Sequence, residues 1–316
     1  FEFTDIRVIA AAFGDCINLV QQQDTGTAFG EIQRRAQILA DRTADIIGGG
    51  DDAVERAVLR QPFDRRFRPD FGHARHVVDC ISDQRQIIDD AFRRHAELGE
   101  DTGGIQRFAA QWNIIVVFPD TSPRGSHISD STDEFIGQGA GFYIDATEQP
   151  WAAHYQMYSH ISRELPDWVE RHFPATQERS IAGFSMGGHG ALSIALKNPD
   201  RYAAVSAFAP LCHPTASRGG KQAFAAYLGA ESEAWQAYDS TSLVQTTSRK
   251  LPIFIDQGGA DPLFPDELQP EAFVNAARAN GFNVQYKVRP GYGHDYFFIA
   301  SFIDSHIEFH AEALGL

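Results

Sequence analysis

The pattern of apolar positions after about residue 105 alternates between short, continuous apolar runs and longer stretches with a helical period. Short runs bounded by turn residues are typical of buried strands, and apolar residues three and four apart are typical of one helix face. The predicted strands are 114–118, 179–183, 203–208, 253–256 and 284–288, and the predicted helices are 155–172, 187–196, 271–280 and 296–314. Pro166 should kink or divide the first of these helices. Repeated strand–helix units predict an α/β fold with a mostly parallel, doubly wound sheet.

Residues 1–104 differ in composition from the rest of the chain. They contain no Lys, Tyr, Trp or Met, whereas thirteen arginines fall there. A globular segment of this length rarely omits four residue types at once. Two interpretations stay open for this unassigned segment, which precedes an α/β domain at 105–316. It is either a helical module, since apolar positions at 32–47 and 87–98 approximate helical stripes, or a stretch whose reading frame or gene boundary is misjoined to the rest.

If the second interpretation holds, we expect residues 1–104 not to supply the early strands of the sheet. The sheet edge that early strands normally cover would then be exposed and prone to aggregate. The second interpretation requires a shift of the reading frame or a gene junction near Gly104, and resequencing of the gene tests for either.

The charge balance disfavours some classes of partner. The 316 residues carry a formal net charge of −15 and no long basic run, which argues against nucleic acids and anionic membrane surfaces. No apolar run reaches the roughly 18 to 20 residues of a membrane span, and no secretory signal layout is present, although Phe1 in place of Met indicates an incomplete start. We expect a cytoplasmic protein. Cys16, Cys80 and Cys212 lack CxxC spacing, which fits reduced thiols better than disulfides or a zinc site.

A serine lies between a predicted strand and a predicted helix, in the sequence Gly183-Phe184-Ser185-Met186-Gly187. This setting is typical of a nucleophile elbow, a sharp turn whose glycines are needed because side chains there would collide. The backbone N–H of Met186 is the expected first donor of an oxyanion hole. The second donor should come from a loop after an earlier strand, and residues 1–104 offer no residue that can be assigned to it.

A serine nucleophile needs a base and a carboxylate, which in this architecture follow it in the order Ser, Asp, His. Asp261 comes just after the predicted strand 253–256, and His294 comes just after the strand 284–288. We therefore expect Ser185, Asp261 and His294 to form a catalytic triad at the carboxyl edge of the sheet, with His294 as base and Asp261 as its partner. Asp256, at the end of its strand, is the alternative carboxylate.

Three other histidines have less specific surroundings. His189 lies one helical turn after Ser185 and is expected to pack or to form a hydrogen bond rather than to act as a second base. His306 and His310 are four residues apart on the last predicted helix, a spacing that could bind a metal. Without the Glu of an HExxH motif, a solvated helix face is the expectation for this pair.

Further motifs surround the candidate site. They include Gln106-Arg107, Pro119-Asp120-Thr121-Ser122-Pro123-Arg124-Gly125, Gly137-Gln138-Gly139-Ala140-Gly141-Phe142-Tyr143, Gly183-Phe184-Ser185-Met186-Gly187-Gly188-His189-Gly190-Ala191, Ile255-Asp256-Gln257-Gly258 and Gly291-Tyr292-Gly293-His294. With these motifs the chain resembles the S-formylglutathione hydrolases, the esterase D family of serine esterases with the α/β-hydrolase fold. The resemblance covers about residues 104–316 and places Ser185, Asp261 and His294 on the family's triad.

The resemblance implies hydrolysis of the thioester S-formylglutathione to glutathione and formate, a step of formaldehyde detoxification. It implies a small-molecule partner and neither a metal nor an organic cofactor, and it leaves a homodimer open. The family's segment Leu-Ser-Gly-Leu-Thr-Cys-Thr, which supplies the second oxyanion donor, is missing, and Arg218-Gly219-Gly220 stands where Pro-Trp-Gly is usual. Two alternatives stay open: a broader carboxylesterase or acyltransferase of the same fold, and a catalytically impaired member with an incomplete oxyanion hole.

Overall fold

The computed structural model describes residues 6–13, 77–80 and 105–316. The described strands form one sheet of seven strands in the order β2-β3-β1-β4-β5-β6-β7, and every neighbouring pair is parallel. The strands are β1 (Ile6–Phe13), β2 (Val77–Cys80), β3 (Ile114–Pro119), β4 (Ala175–Phe184), β5 (Val205–Phe208), β6 (Ile253–Gly258) and β7 (Val284–Arg289). Because all these strands run in one direction, their carboxyl ends meet at one edge of the sheet.

The described helices lie between these strands in the chain, except α8, which follows β7. They are α1 (Ile105–Gln111), α2 (Leu165–His172), α3 (Met186–Lys197), α4 (Arg218–Leu228), α5 (Glu233–Gln236), α6 (Ser240–Thr246), α7 (Pro270–Ala279) and α8 (Tyr296–Ala313). The five strands and four helices predicted after residue 105 are confirmed, with ends that differ by a few residues. The molecule therefore has the predicted α/β fold, a doubly wound, parallel sheet.

Pro166 does disturb its helix, as expected. Ahead of α2 the chain forms a short α-helical turn (Met157–Ser159) and then a π-helical segment (His160–Glu164). Proline has no N–H to donate to the carbonyl four residues earlier, which belongs to Ser162. The Arg201 guanidinium donates a hydrogen bond to that carbonyl oxygen instead (Nη1 to O, 2.5 Å).

Two strands come from residues 1–104, so the expectation attached to the misjoined interpretation, that this segment supplies no early strands, is wrong for them. β1 lies inside the sheet between β3 and β4, with Ala12 opposite Gly183 and Phe13 opposite Phe184. The sequence of β1, IRVIAAAF, is continuously apolar after Arg7, as suits a central parallel strand, and Val8 and Ile9 are buried. β2 pairs with the outer side of β3, so β3 is not an exposed edge. The helical stripes at 32–47 and 87–98, and Cys16, lie outside the described residues.

The two faces of the sheet carry separate apolar clusters. Alternate residues of a strand point to opposite faces, and in β6 Ile253 and Ile255 join the larger cluster whereas Phe254 joins a smaller one with Phe309 of α8. α3 is buried from Gly187 to Leu196, as is typical of a helix enclosed by the sheet and other helices. In the part of the chain that the structure describes, no helix is both long and apolar enough to cross a membrane.

Candidate active site

The turn between β4 and α3 holds Ser185 in a strained backbone conformation. Its φ is 57° and its ψ is −118°, a region that side-chain-bearing residues rarely occupy. A Cβ at Gly183 would lie 2.1 Å from the carbonyl oxygen of Gly187, so this position accepts glycine alone. The Ser185 N–H donates to the Phe208 carbonyl (2.9 Å), and the Ser185 carbonyl accepts from Leu211 N–H (3.1 Å). These two bonds to the end of β5 and the loop after it hold the elbow in place.

A line of hydrogen bonds joins Ser185, His294 and Asp261 at the carboxyl edge of the sheet. Ser185 Oγ lies 2.8 Å from His294 Nε2, and His294 Nδ1 lies 2.6 Å from Asp261 Oδ2. An ionised carboxylate can only accept, so Nδ1 carries a proton and Nε2 accepts the proton of the serine hydroxyl. The structure thus brings together the three side chains that the sequence singles out. Both partners of Ser185 are nearly inaccessible, with side chains 5% (His294) and 0% (Asp261) exposed.

The loop after β6 orients the Asp261 carboxylate. Oδ1 accepts from the backbone N–H of Leu263 (2.8 Å), and Oδ2 accepts from Gln257 Nε2 (3.1 Å) as well as from His294. Gln257 is not among the site residues expected from the sequence, although a polar residue near the end of a buried strand is a usable signal. A buried polar side chain in such a place generally has a specific hydrogen-bond partner.

The chain is also similar to a known protein family. The family model described as "Putative esterase" matches residues 87–309, which is more than half of the chain and contains all three side chains. The chain belongs to this esterase family. The match begins at residue 87, ahead of the start near residue 104 that the motifs indicated.

Solved structures of related proteins agree with the family. An S-formylglutathione hydrolase from Agrobacterium tumefaciens is 40% identical, and the match covers 77% of this chain and 86% of that chain with a TM-score of 0.67. Two Staphylococcus aureus proteins share the fold at 18% identity. The S-formylglutathione hydrolase FrmB matches over 79% of this chain and 90% of its own, with a TM-score of 0.50. The fluorophosphonate-binding serine hydrolase FphF matches over 79% and 89%, with a TM-score of 0.51. This esterase is therefore a hydrolase with the α/β-hydrolase type of fold.

Asp256, the alternative carboxylate, does not contact His294 in the described hydrogen bonds of the esterase. It lies on the other face of β6, where its Oδ2 is 2.8 Å from Arg289 Nη2 and 3.6 Å from His306 Nε2. Burial opposes ionisation of Asp256, but His306 and Arg289 together hold its pKa below the usual value. Asp256 is thus part of a buried charged cluster behind the sheet.

His189 forms a hydrogen bond inside the esterase, as expected. It is fully buried, and its Nε2 lies 3.0 Å from the Phe142 carbonyl oxygen. Burial lowers the pKa of His189 to about 4, so the ring is neutral and Nε2 is the donor. The carbonyl that it holds belongs to a residue with a positive φ of 49°, which is an uncommon conformation for Phe.

The expectation of a solvated face at His306 and His310 is wrong. Both side chains are buried, because this part of α8 packs on the sheet. The His306 ring stacks between Phe208 and Phe254, with centroid distances of 3.7 and 4.2 Å. Ser206 Oγ lies 2.8 Å from His306 Nδ1 and 2.7 Å from His310 Nε2. Among the described residues no group of three or more His, Cys, Asp or Glu is placed to hold a metal ion.

The oxyanion donors are partly defined. Met186 is the first residue of α3, so its N–H has no partner within the helix and lies beside Ser185. β1 ends at Phe13, opposite Phe184, and the chain therefore leaves the sheet beside the elbow. This is the place from which an earlier strand would supply the second donor. The residues that follow Phe13 lie outside the described part of the chain, and the second donor stays unassigned.

Proposed function

We propose that the esterase is a serine hydrolase that cleaves the thioester S-formylglutathione to glutathione and formate. The observation that carries the proposal is the hydrogen-bonded line Ser185, His294 and Asp261 in a chain 40% identical to an S-formylglutathione hydrolase. A thioester carbonyl is a suitable electrophile for an activated serine. We place the reaction in glutathione-dependent disposal of formaldehyde, because S-formylglutathione carries a one-carbon unit at the oxidation level of formate.

The first chemical step would transfer the formyl group to the enzyme. Ser185 Oγ attacks the carbonyl carbon while His294 Nε2 accepts the hydroxyl proton, and Asp261 stabilises the imidazolium that forms. Negative charge collects on the carbonyl oxygen, where the Met186 N–H and the N-terminal end of α3 would stabilise it. The carbon–sulfur bond then breaks, and glutathione leaves with the proton that His294 held.

The second step would release formate. Water enters the position that the sulfur has left, and His294 Nε2 accepts a proton from it as the oxygen attacks the formyl-serine carbon. The bond to Ser185 Oγ breaks, and His294 returns the proton to the serine. Both steps use groups of this chain and water, with no metal or organic cofactor in the proposal.

A test compares S-formylglutathione with an aryl ester, p-nitrophenyl acetate, for the full-length chain and for Ser185→Ala. We expect a much larger kcat/KM for the thioester and a fall of about 10⁴-fold or more in kcat for the variant. Similar values for both substrates would replace the proposal with a broader carboxylesterase. Folded protein that turns over neither substrate and is not labelled at Ser185 by a fluorophosphonate would indicate a catalytically impaired member.

A further inference from the structure

Gln257 is a buried amide near the end of β6, next to the candidate triad. It is fully buried, and it shares the β6 face of Ile253 and Ile255, which belong to the larger apolar cluster. At such a position an aliphatic side chain would be the ordinary choice, because burying an amide costs free energy unless its hydrogen bonds are made. A specific use of the amide is therefore expected.

The orientation of the Gln257 amide follows from its neighbours. One nitrogen, Nε2, lies 3.1 Å from the Gly258 carbonyl oxygen and 3.1 Å from Asp261 Oδ2. Both neighbours are acceptors only, so a flipped amide would place its oxygen against two other oxygens. The nitrogen must face the carboxylate. The other end of the amide, Oε1, is buried with no hydrogen-bond partner in the described structure.

The nitrogen of the Gln257 amide has hydrogen-bond partners and the oxygen has none among the described residues, so the contribution of this side chain comes from its N–H groups. A buried oxygen without a partner destabilises the fold, and a methionine of similar size would avoid that cost. What the amide supplies in return is one N–H donor to a carbonyl and one to the carboxylate that orients His294. That second bond is charge-assisted and hence the stronger of the two.

We propose that Gln257 is a positioning residue for catalysis: it holds the Asp261 carboxylate in the rotation at which Oδ2 accepts the Nδ1–H of His294. This inference rests on the proposed function, since it assigns a role in that same site. With Leu263 N–H on Oδ1 and Gln257 on Oδ2, both oxygens are fixed from two directions. Gln257 does so without a charge of its own, and Asp261 therefore keeps its full effect on the imidazolium.

The first experiment replaces the donor with an apolar side chain of similar length, in Gln257→Met. The readout is the rate at which a fluorophosphonate labels Ser185, because this rate depends on the serine, the histidine and the aspartate and not on the identity of the natural substrate. We expect the rate to fall about 10-fold or more, with a thermal midpoint no lower than that of the parent. The matched control is Gln285→Met on β7, where the side chain is exposed and labelling should be unchanged.

The second experiment uses Gln257→Glu, which keeps the shape but makes the donor titratable. When protonated, the introduced carboxyl can donate to Asp261 through its O–H; when ionised, it repels the Asp261 carboxylate. Burial and that neighbour raise the pKa of the introduced group, so labelling should fall as the pH rises through that pKa. In both proteins His294 must be neutral to act as a base, so labelling of the parent should rise with pH to a plateau, whereas labelling of Gln257→Glu should rise and then fall again. A purely structural glutamine would leave the plateau of the parent in place.

The outcomes separate this inference from the proposed function. Folded Gln257→Met that labels at the parental rate, together with a parental pH profile for Gln257→Glu, would overturn the positioning role. If Gln257→Met does not fold, the profile of Gln257→Glu decides alone. Normal labelling of the parent without turnover of S-formylglutathione would instead remove the substrate assignment and leave the role of Gln257 intact.

Discussion

Replacement by asparagine should affect different properties at Asp256 and Asp261, two carboxylates that lie five residues apart. Both are buried, and each lies near a histidine. Asp256 faces Arg289 and His306 behind the sheet, whereas Asp261 faces His294 and, through it, the serine. We therefore expect Asp256→Asn to reduce stability and Asp261→Asn to reduce activity.

The stability effect of Asp256→Asn can be estimated from the cluster. Removal of one partner from a buried ion pair typically costs about 3–5 kcal/mol. Arg289 retains some contact with water, since its side chain is 21% exposed, and the asparagine oxygen can still accept from it. These two features reduce the expected loss in unfolding free energy to about 2–3 kcal/mol.

The pH dependence of this loss has a defined sign. The pKa of Asp256 is lower in the folded chain than in the unfolded chain, where the usual value is about 3.9. Its contribution is therefore complete above that value and is lost as the pH falls through the folded pKa. The difference between parent and variant should be constant from about pH 5 to 8 and should shrink below about pH 4.

The activity effect of Asp261→Asn follows from the tautomer of His294. An asparagine amide that places its NH₂ group toward Nδ1 favours the ring with the proton on Nε2, which cannot accept the serine proton. In serine hydrolases such a change lowers kcat by about 10⁴-fold. Asp256→Asn leaves these atoms in place, and its rate of Ser185 labelling per folded molecule should stay within about threefold of the parent, a change worth less than about 1 kcal/mol.

The assay combines urea unfolding, followed by tryptophan fluorescence, with the rate of Ser185 labelling in the native baseline. Both variants are measured with the parent at pH 7 and across the acidic range. A large loss of labelling in fully folded Asp256→Asn, with near-parental labelling in Asp261→Asn, would refute the assignment of the two carboxylates. Equal stability of Asp256→Asn and the parent would refute the energetic argument for the buried cluster.

Three further predictions concern the elbow, a helix terminus and a buried histidine. Gly183→Ala would force a methyl carbon to within 2.1 Å of the Gly187 oxygen, so soluble protein and Ser185 labelling should both fall sharply; normal labelling would contradict this. Glu267 accepts from the first two N–H groups of α4, and Glu267→Ala should lower the urea midpoint by an amount worth about 1 kcal/mol, whereas Glu267→Gln should lose less. Burial lowers the pKa of His310 to about 3. Between about pH 6.5 and about pH 3, the unfolded chain binds this proton and the folded chain does not, so stability is lost as the pH falls through that range. His310→Gln should flatten that slope by up to about 1.4 kcal/mol per pH unit, and an unchanged slope in this variant would contradict the account.

Much of the local structure could be predicted from the sequence. Strands such as 253–256 and helices such as 296–314 were recognisable from the spacing of their apolar residues. That spacing is set by the local geometry of a strand or a helix and depends only on residues close together in the chain. The elbow was recognisable for a similar reason, since a serine between close glycines at a strand–helix junction can adopt few conformations. The positions of Asp261 and His294 followed because loops after parallel strands meet at one edge.

The tertiary structure alone decided which side chains meet. The sequence favoured Asp261 as the partner of His294 and kept Asp256 as the alternative. In the structure, strand alternation directs Asp256 behind the sheet, whereas the loop after β6 brings Asp261 to His294. The spacing of His306 and His310 predicted a solvated pair. In the structure α8 packs on the sheet, and both histidines lie beside Ser206. β1 lies in the sheet between β3 and β4, which are far from it in the chain. Each of these outcomes depends on contacts between segments that are far apart in the chain. The apolar period within one segment does not determine which other segment it contacts.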